Sequence, residues 1–295
     1  MSVCNICPRN CNVDRNIKTG FCSMPQTVKI SRAALHMWEE PCISGDKGSG
    51  TVFFSGCNMK CVFCQNKEIS TGGFGKEITI ERLADIFLEL QAKGALNINL
   101  VTPTHYTLQI IRAVKLAKEK GLKLPIVYNT SSYEKVETIK LLAEIVDIWL
   151  PDFKYMDNTA AARYSKAADY VQYAQAAIDE MVRQQPQCVF GDDGIIQKGV
   201  IVRHLVLPGQ LQGAKDAIEY LYNKYGDSIF ISIMSQYTPC TDLSDYPEIN
   251  RKISQEEYDE VVDYAVEIGV ENGFLQEGES ASESFIPPFD LEGVE

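Results

Sequence analysis

From residue 51 onward, short apolar runs rich in β-branched and aromatic residues alternate with segments of helical periodicity, and this alternation narrows the possible folds most. TVFFSG (51–56), NINLVTPTH (97–105), LPIVYNTSS (124–132), VDIWLPDFK (146–154), GVIVRHLVLPG (199–209) and SIFISIMSQYTP (228–239) read as strands. Between the first two, 79–94 places Ile80, Leu83, Ala84, Phe87 and Leu88 at helical spacing and stops at Gly94. Further helices are expected over 107–120, through Val136, Ile139 and Leu142, along an alanine-rich stretch at 159–183, and over 211–225. Ser254 with Glu257 forms a capping box for the next helix, and NGFLQ (272–276) reads as a last short strand. Strands joined by helices give a doubly wound sheet or a barrel, and pattern alone leaves both open. No GxGxxG follows the first strand, so a dinucleotide-binding sheet is not supported.

Composition excludes some functions. With 45% apolar and 23% charged residues this is ordinary soluble-protein composition. No run approaches the ~18 apolar residues that a membrane-spanning helix needs. The first residues, MSVCNICPRN, lack the apolar core of a secretory signal, so the cytoplasm is the expected compartment. A formal charge of −12 argues against nucleic acid as a partner, because phosphate binding needs clustered Lys and Arg. Ten cysteines in such a chain point to metal or redox chemistry rather than disulfides.

The cysteines form two groups. Cys4, Cys7, Cys11 and Cys22 are enough to close a tetrahedral zinc site or to hold an iron–sulfur cluster, and both remain open beside reduced thiols with no metal. Cys57, Cys61 and Cys64 are one ligand short. Three thiolates on one loop can bind three irons of a 4Fe–4S cluster and leave the fourth iron for a small molecule. The alternative is a three-cysteine zinc site completed by Cys42 or His36.

Cys57-x3-Cys61-x2-Cys64, with the aromatic Phe63 between the last two cysteines, resembles the signature of radical S-adenosylmethionine (radical SAM) enzymes. Gly56 before it and Gln65-Asn66 after it resemble the glycyl-radical-enzyme activating subgroup, typified by pyruvate formate-lyase activating enzyme. The resemblance covers about residues 50 to 276 and implies an α/β fold with a partial (β/α)6 barrel at 51–276. The cysteine-rich residues 1–50 would form a small metal-binding segment before it, and 277–295 a loosely packed acidic tail. It implies a 4Fe–4S cluster on Cys57, Cys61 and Cys64 with SAM at the open iron, and an electron donor such as flavodoxin or ferredoxin. One-electron cleavage of SAM then gives a 5′-deoxyadenosyl radical that takes hydrogen from a substrate. The subgroup implies a glycine in a partner protein. A small molecule or another peptide is the alternative, and a non-catalytic zinc-binding protein is the alternative of another class.

In βα-barrels the site lies at the C-terminal ends of the strands. Asp152 and Lys154, two apart, project from one face of the fourth strand. They are a structural ion pair or, as the resemblance implies, contacts to SAM, with Lys154 on the methionyl carboxylate and Asp152 on a ribose hydroxyl or a cationic group. The resemblance also assigns Arg203 to that carboxylate, with His204 a packing residue. Asn129 and Ser131 can hydrogen-bond a ribose or amino group, and Gln236 can face the substrate or adenine. The family's usual Gly-Gly-Glu stretch is replaced by Val101-Thr102-Pro103-Thr104-His105. Thr102 and Thr104 are the remaining candidates for the SAM ammonium there.

Overall fold

The fold is described by a computed structural model over residues 3–276 and 287–295. In chain order the elements are β1 (Val28–His36), α1 (Pro41–Ser44), β2 (Ser49–Phe54), α2 (Lys67–Ser70), β3 (Lys76–Ile78), α3 (Ile80–Ala92), β4 (Ile98–Val101), α4 (Thr107–Glu119), β5 (Ile126–Thr130) and α5 (Val136–Leu141). There follow β6 (Ile148–Pro151), α6 (Asn158–Ser165), α7 (Tyr170–Gln184), β7 (Val189–Phe190), β8 (Ile196–Leu205), α8 (Leu211–Tyr225), β9 (Phe230–Met234), α9 (Gln255–Glu267) and β10 (Gly273–Leu275). The sheet runs β10-β9-β8-β6-β5-β4-β2-β1-β3, with β7 added on β8. From β2 to β10 every neighbour is parallel. β1 is antiparallel to both β2 and β3. Among the described residues the two end strands do not pair, so the barrel is partial.

The six expected strands are β2, β4, β5, β6, β8 and β9, each followed by helix, and NGFLQ supplies β10. β4, β5 and β6 are buried along their whole length, as parallel strands between helices and a filled interior must be. Residues of opposite parity serve the two faces. Leu100, Tyr128, Trp149 and Val200 pack outward with the helices, while Val127, Ile148, Leu150 and Ile201 pack inward. The helices start where their caps allow. Thr79 accepts from the Arg82 amide at 3.1 Å, worth about 1 kcal/mol, and the Ser254–Glu257 box is formed.

Three expectations need correction. The segment before residue 50 is not a separate cap throughout, because Val28–His36 is a strand of the main sheet and the boundary at 50 falls inside β2. After β1 the chain enters the barrel from the N-terminal ends of the strands. There Cys42 and Ile43 of α1 pack on Val127, Ile148, Leu150 and Ile201 and fill the lower end of the interior. The alanine-rich helix is broken into α6 and α7 at Lys166, which is left-handed at φ 52°. Of the acidic tail, 277–286 lies outside the described residues, and 287–295 is packed rather than loose. Ala33 and Leu291 exchange backbone hydrogen bonds with Glu292 and Ser31 at 2.8 and 3.0 Å, Arg32 pairs with Asp290 and Glu292, and Val294 is buried.

Candidate active site

The loop after β2 is held from several sides. Gly56 lies at φ 83°, and a Cβ there would sit 2.2 Å from Met24 Cγ and 2.8 Å from the Cys22 carbonyl oxygen. Only glycine accepts that backbone and that approach. The Val62 amide donates to the Tyr164 carbonyl at 2.8 Å, and Asn58 Nδ2 to the Tyr133 carbonyl at 2.6 Å. Thr241 donates to the Val62 carbonyl at 3.1 Å. Phe63 is buried edge-on against Tyr237, with ring centres 5.8 Å apart.

Each of the three thiols on this loop has a hydroxyl or amide partner. The Met59 amide donates to Cys57 Sγ at 3.3 Å, Ser165 Oγ to Cys61 Sγ at 3.0 Å, and Cys64 Sγ lies 3.3 Å from Ser70 Oγ. Ser165 reaches Cys61 because α6 ends there. Burial pushes the Cys57 thiol up to about 12. Burial also raises Cys61, and the nearby Lys154 charge opposes the rise. Such thiols ionise when a metal replaces the proton.

Strand C-terminal ends supply the opposite wall. Arg203 Nε donates to Asp152 at 2.9 Å, Nη1 to Glu39 at 3.1 Å and Nη2 to Asn129 at 2.6 Å. Lys154 Nζ donates to Asp152 at 2.7 Å. Burial alone would raise Asp152, but Arg203 and Lys154 outweigh it and hold the carboxyl below its usual range. Burial would lower Lys154, and the Asp152 and Cys61 charges outweigh that, keeping it an ammonium. Glu39, raised by burial against the pull of Arg203, also accepts from Asn99 at 2.9 Å.

These groups face one cavity of about 320 Å³ inside the barrel. Cys57, Cys61, Cys64, Phe63, Thr102, Asn129, Ser131, Asp152, Lys154, Arg203 and Gln236 all line it. Thr104 does not. Thr102 is left-handed at φ 58°, the chain turns away, and Thr104 Oγ1 donates to the buried Glu134 at 2.6 Å. Arg203 differs from expectation in having three of its five N–H donors on protein acceptors. His204 is a packing residue: Nδ1 meets the Phe153 carbonyl at 2.6 Å, and burial lowers its pKa to about 4. His105, beside the Ser55 carbonyl at 2.7 Å, is lowered by burial to about 3.

Sequence reasoning missed Glu39, Glu40, Asn99 and Ser165. The two glutamates precede α1 in a loop that the pattern leaves unassigned. Asn97 and Asn99 were a usable signal, since alternate polar residues in an otherwise apolar strand mark a polar inner face.

Cys4, Cys7, Cys11 and Cys22 fold into a knuckle. The Cys4 amide donates to the Val13 carbonyl at 2.8 Å, the Asn12 amide to the Cys4 carbonyl at 3.1 Å, and the Phe21 amide to Cys11 Sγ at 3.2 Å. Burial pushes Cys7 up to about 12 and also raises Cys22, and both feel Cys4 and Cys11. Among the described residues, no three Cys, His, Asp or Glu side chains converge as the ligands of a single ion would. Arg9 ties the knuckle to the catalytic loop. Its Nε donates to the Asn58 carbonyl at 2.7 Å and Nη1 to the Lys166 carbonyl at 2.6 Å, and its guanidinium lies 3.8 Å from the Phe21 ring centre.

Residues 51–195 match the radical SAM superfamily. An uncharacterized protein of Methanocaldococcus jannaschii is 31% identical over 271 residues, covering 89% of this chain and 74% of that one. The chain belongs to the radical SAM superfamily. Its fold is similar to that of Streptococcus suis SuiB bound to precursor peptide SuiA (TM-score 0.50, 14% identity, 75% of this chain). It is also similar to that of HydG, a maturase of the [FeFe]-hydrogenase (TM-score 0.51, 16% identity, 78% of this chain). The chain spans about half of those two, 46% and 52% of their lengths.

Membership implies a 4Fe–4S cluster and SAM, and the residues fit them. Three half-buried thiols on one loop, each with a hydrogen-bond partner at sulfur, face a cavity whose far wall holds a half-buried ammonium and paired carboxylates. Among the described residues no helix is long and apolar enough to cross a membrane.

Proposed function

We propose that this chain is a radical SAM enzyme whose Cys57, Cys61 and Cys64 hold a 4Fe–4S cluster at the cavity mouth. Bound there, the cluster supplies the one-electron chemistry that splits the sulfonium of SAM into methionine and a 5′-deoxyadenosyl radical able to take a hydrogen atom from substrate. Lys154 offers its free N–H donors to the methionyl carboxylate. Asn129 and Ser131 offer hydrogen bonds to the ribose or ammonium, together with the turned backbone at Thr102, while Gln236 and Phe63 border the adenine side. Arg203 fixes Asp152, Asn129 and Glu39, and its two remaining donors face the same space. The protein supplies position and excludes water. The observation that carries this reading is the sharing of one cavity by the three thiols and the Asp152–Lys154–Arg203 group.

The flanks Gly56 and Gln65-Asn66 support the activating subgroup, with a backbone glycine of a partner protein as hydrogen donor, a flavodoxin or ferredoxin as electron source, and the cytoplasm as compartment. Cys4, Cys7, Cys11 and Cys22 are the candidate ligands of a second metal site, zinc or iron–sulfur, and their thiols would have to draw together to close it. Anaerobic reconstitution tests the reading. Brown iron–sulfur absorbance and 5′-deoxyadenosine from SAM with dithionite are expected, and Cys61→Ala should abolish the nucleoside. A colourless, zinc-loaded protein inert to SAM overturns it.

A further inference from the structure

The cavity has a charged floor to which the SAM contacts proposed above assign no role. The segment between β1 and α1 crosses the lower end of the barrel and places Glu39 and Glu40 in the cavity wall. Glu39 is matched by Arg203, Asn99 and Asn129. Glu40 is not. It is 8% exposed, and among the described residues its Oε2 has no hydrogen-bond partner. A buried carboxylate oxygen without a partner is costly and uncommon.

The charge balance points the same way. The wall carries Glu39, Glu40 and Asp152 against Lys154 and Arg203, and both cations are already paired with Asp152 or Glu39. Asn99, whose Nδ2 is held by Glu39, also has an Oδ1 without a partner. Both of these unmatched atoms are acceptors of carboxylate or amide type. Phe53, Leu205 and Met234 line the same cavity and suit an alkyl chain.

We infer that Glu40 binds a cationic group of the substrate, an alkylammonium or guanidinium, at the floor of the cavity. This rests on the reading of the cavity as the place where the radical meets its substrate. A cation there gives Oε2 its missing donor and places the substrate's alkyl portion along the apolar wall. Burial raises the Glu40 pKa and the Arg203 charge opposes the rise; an arriving cation holds the carboxylate ionised.

The test uses n-butylguanidinium and its uncharged isostere n-butylurea, titrated calorimetrically into anaerobically reconstituted protein before SAM is added. The guanidinium is expected to saturate one site at least tenfold more tightly than the urea, and Glu40→Gln should erase that preference. Equal binding of the two, binding of neither, or a preference that survives Glu40→Gln overturns the inference. Discrimination by the unaltered protein does not depend on the variant folding. Acetyl-Gly-Arg-Gly-amide, run in parallel, distinguishes the sources: tighter binding than n-butylguanidinium assigns the site to a peptide side chain, and weaker binding to a free cation. 5′-Deoxyadenosine formation without added ligand is measured on the same preparation. Its loss overturns the enzymatic reading, whereas its persistence without cation preference overturns only the assignment of the floor.

Discussion

Single residues carry much of the site. Gly56 combines a left-handed backbone with contact to the Cys22–Met24 segment, so Gly56→Ala should cost about 1–3 kcal/mol and reduce iron bound after reconstitution, measured by thermal unfolding and iron assay. Asp152 is the common partner of two half-buried cations. Removing its charge in Asp152→Asn leaves Lys154 uncompensated and Arg203 with Glu39 as its remaining carboxylate partner, with a loss of about 3–5 kcal/mol expected in denaturant unfolding. His204 gives a pH signature. Its folded pKa is about 4, below the ordinary value, so between these the unfolded chain binds the proton and the folded one does not. Stability from this group is full above pH ~6.5 and falls with acidification. Wild type should therefore lose about 1.6 kcal/mol more than His204→Gln between pH 6.5 and 5, read as the difference between their unfolding free energies.

At the scale of elements, the break between α6 and α7 shows what local sequence conceals. Neither Gly nor Pro occurs between 158 and 184, and Ala-rich composition favours one continuous helix. Tertiary contacts decide otherwise. The end of α6 must meet the cysteine loop, where the Tyr164 carbonyl accepts from the Val62 amide and the Ser165 hydroxyl donates to Cys61 Sγ, and Lys166 turns left-handed to allow it. Lys166→Gly relieves that conformation and should raise stability by about 1 kcal/mol in thermal unfolding. By contrast, β2, β4, β5, β6, β8 and β9 were legible because buried parallel strands leave apolar runs that a chain can hardly hide. The cysteine loop was legible because its chemistry fixes spacing. Glu39, Glu40 and Ser165 were not, since their roles arise only when distant segments meet.

The whole molecule is an open sheet clasped at both chain ends. The N-terminal knuckle is pinned through Arg9 to the carbonyls of Asn58 and Lys166, and the last residues lie across β1. Arg9→Ala should loosen the loop that follows Gly56. Faster hydrogen exchange of the Met59 and Val62 amides, with the β5 and β6 amides unchanged, would report it.

One consequence concerns traffic. Because α1 stoppers the chamber from below, whatever rests on the glutamates arrives through the same doorway as the sulfonium compound. The deepest guest must therefore be seated first and depart last. Loading in that sequence keeps a hot radical from being born in an empty room.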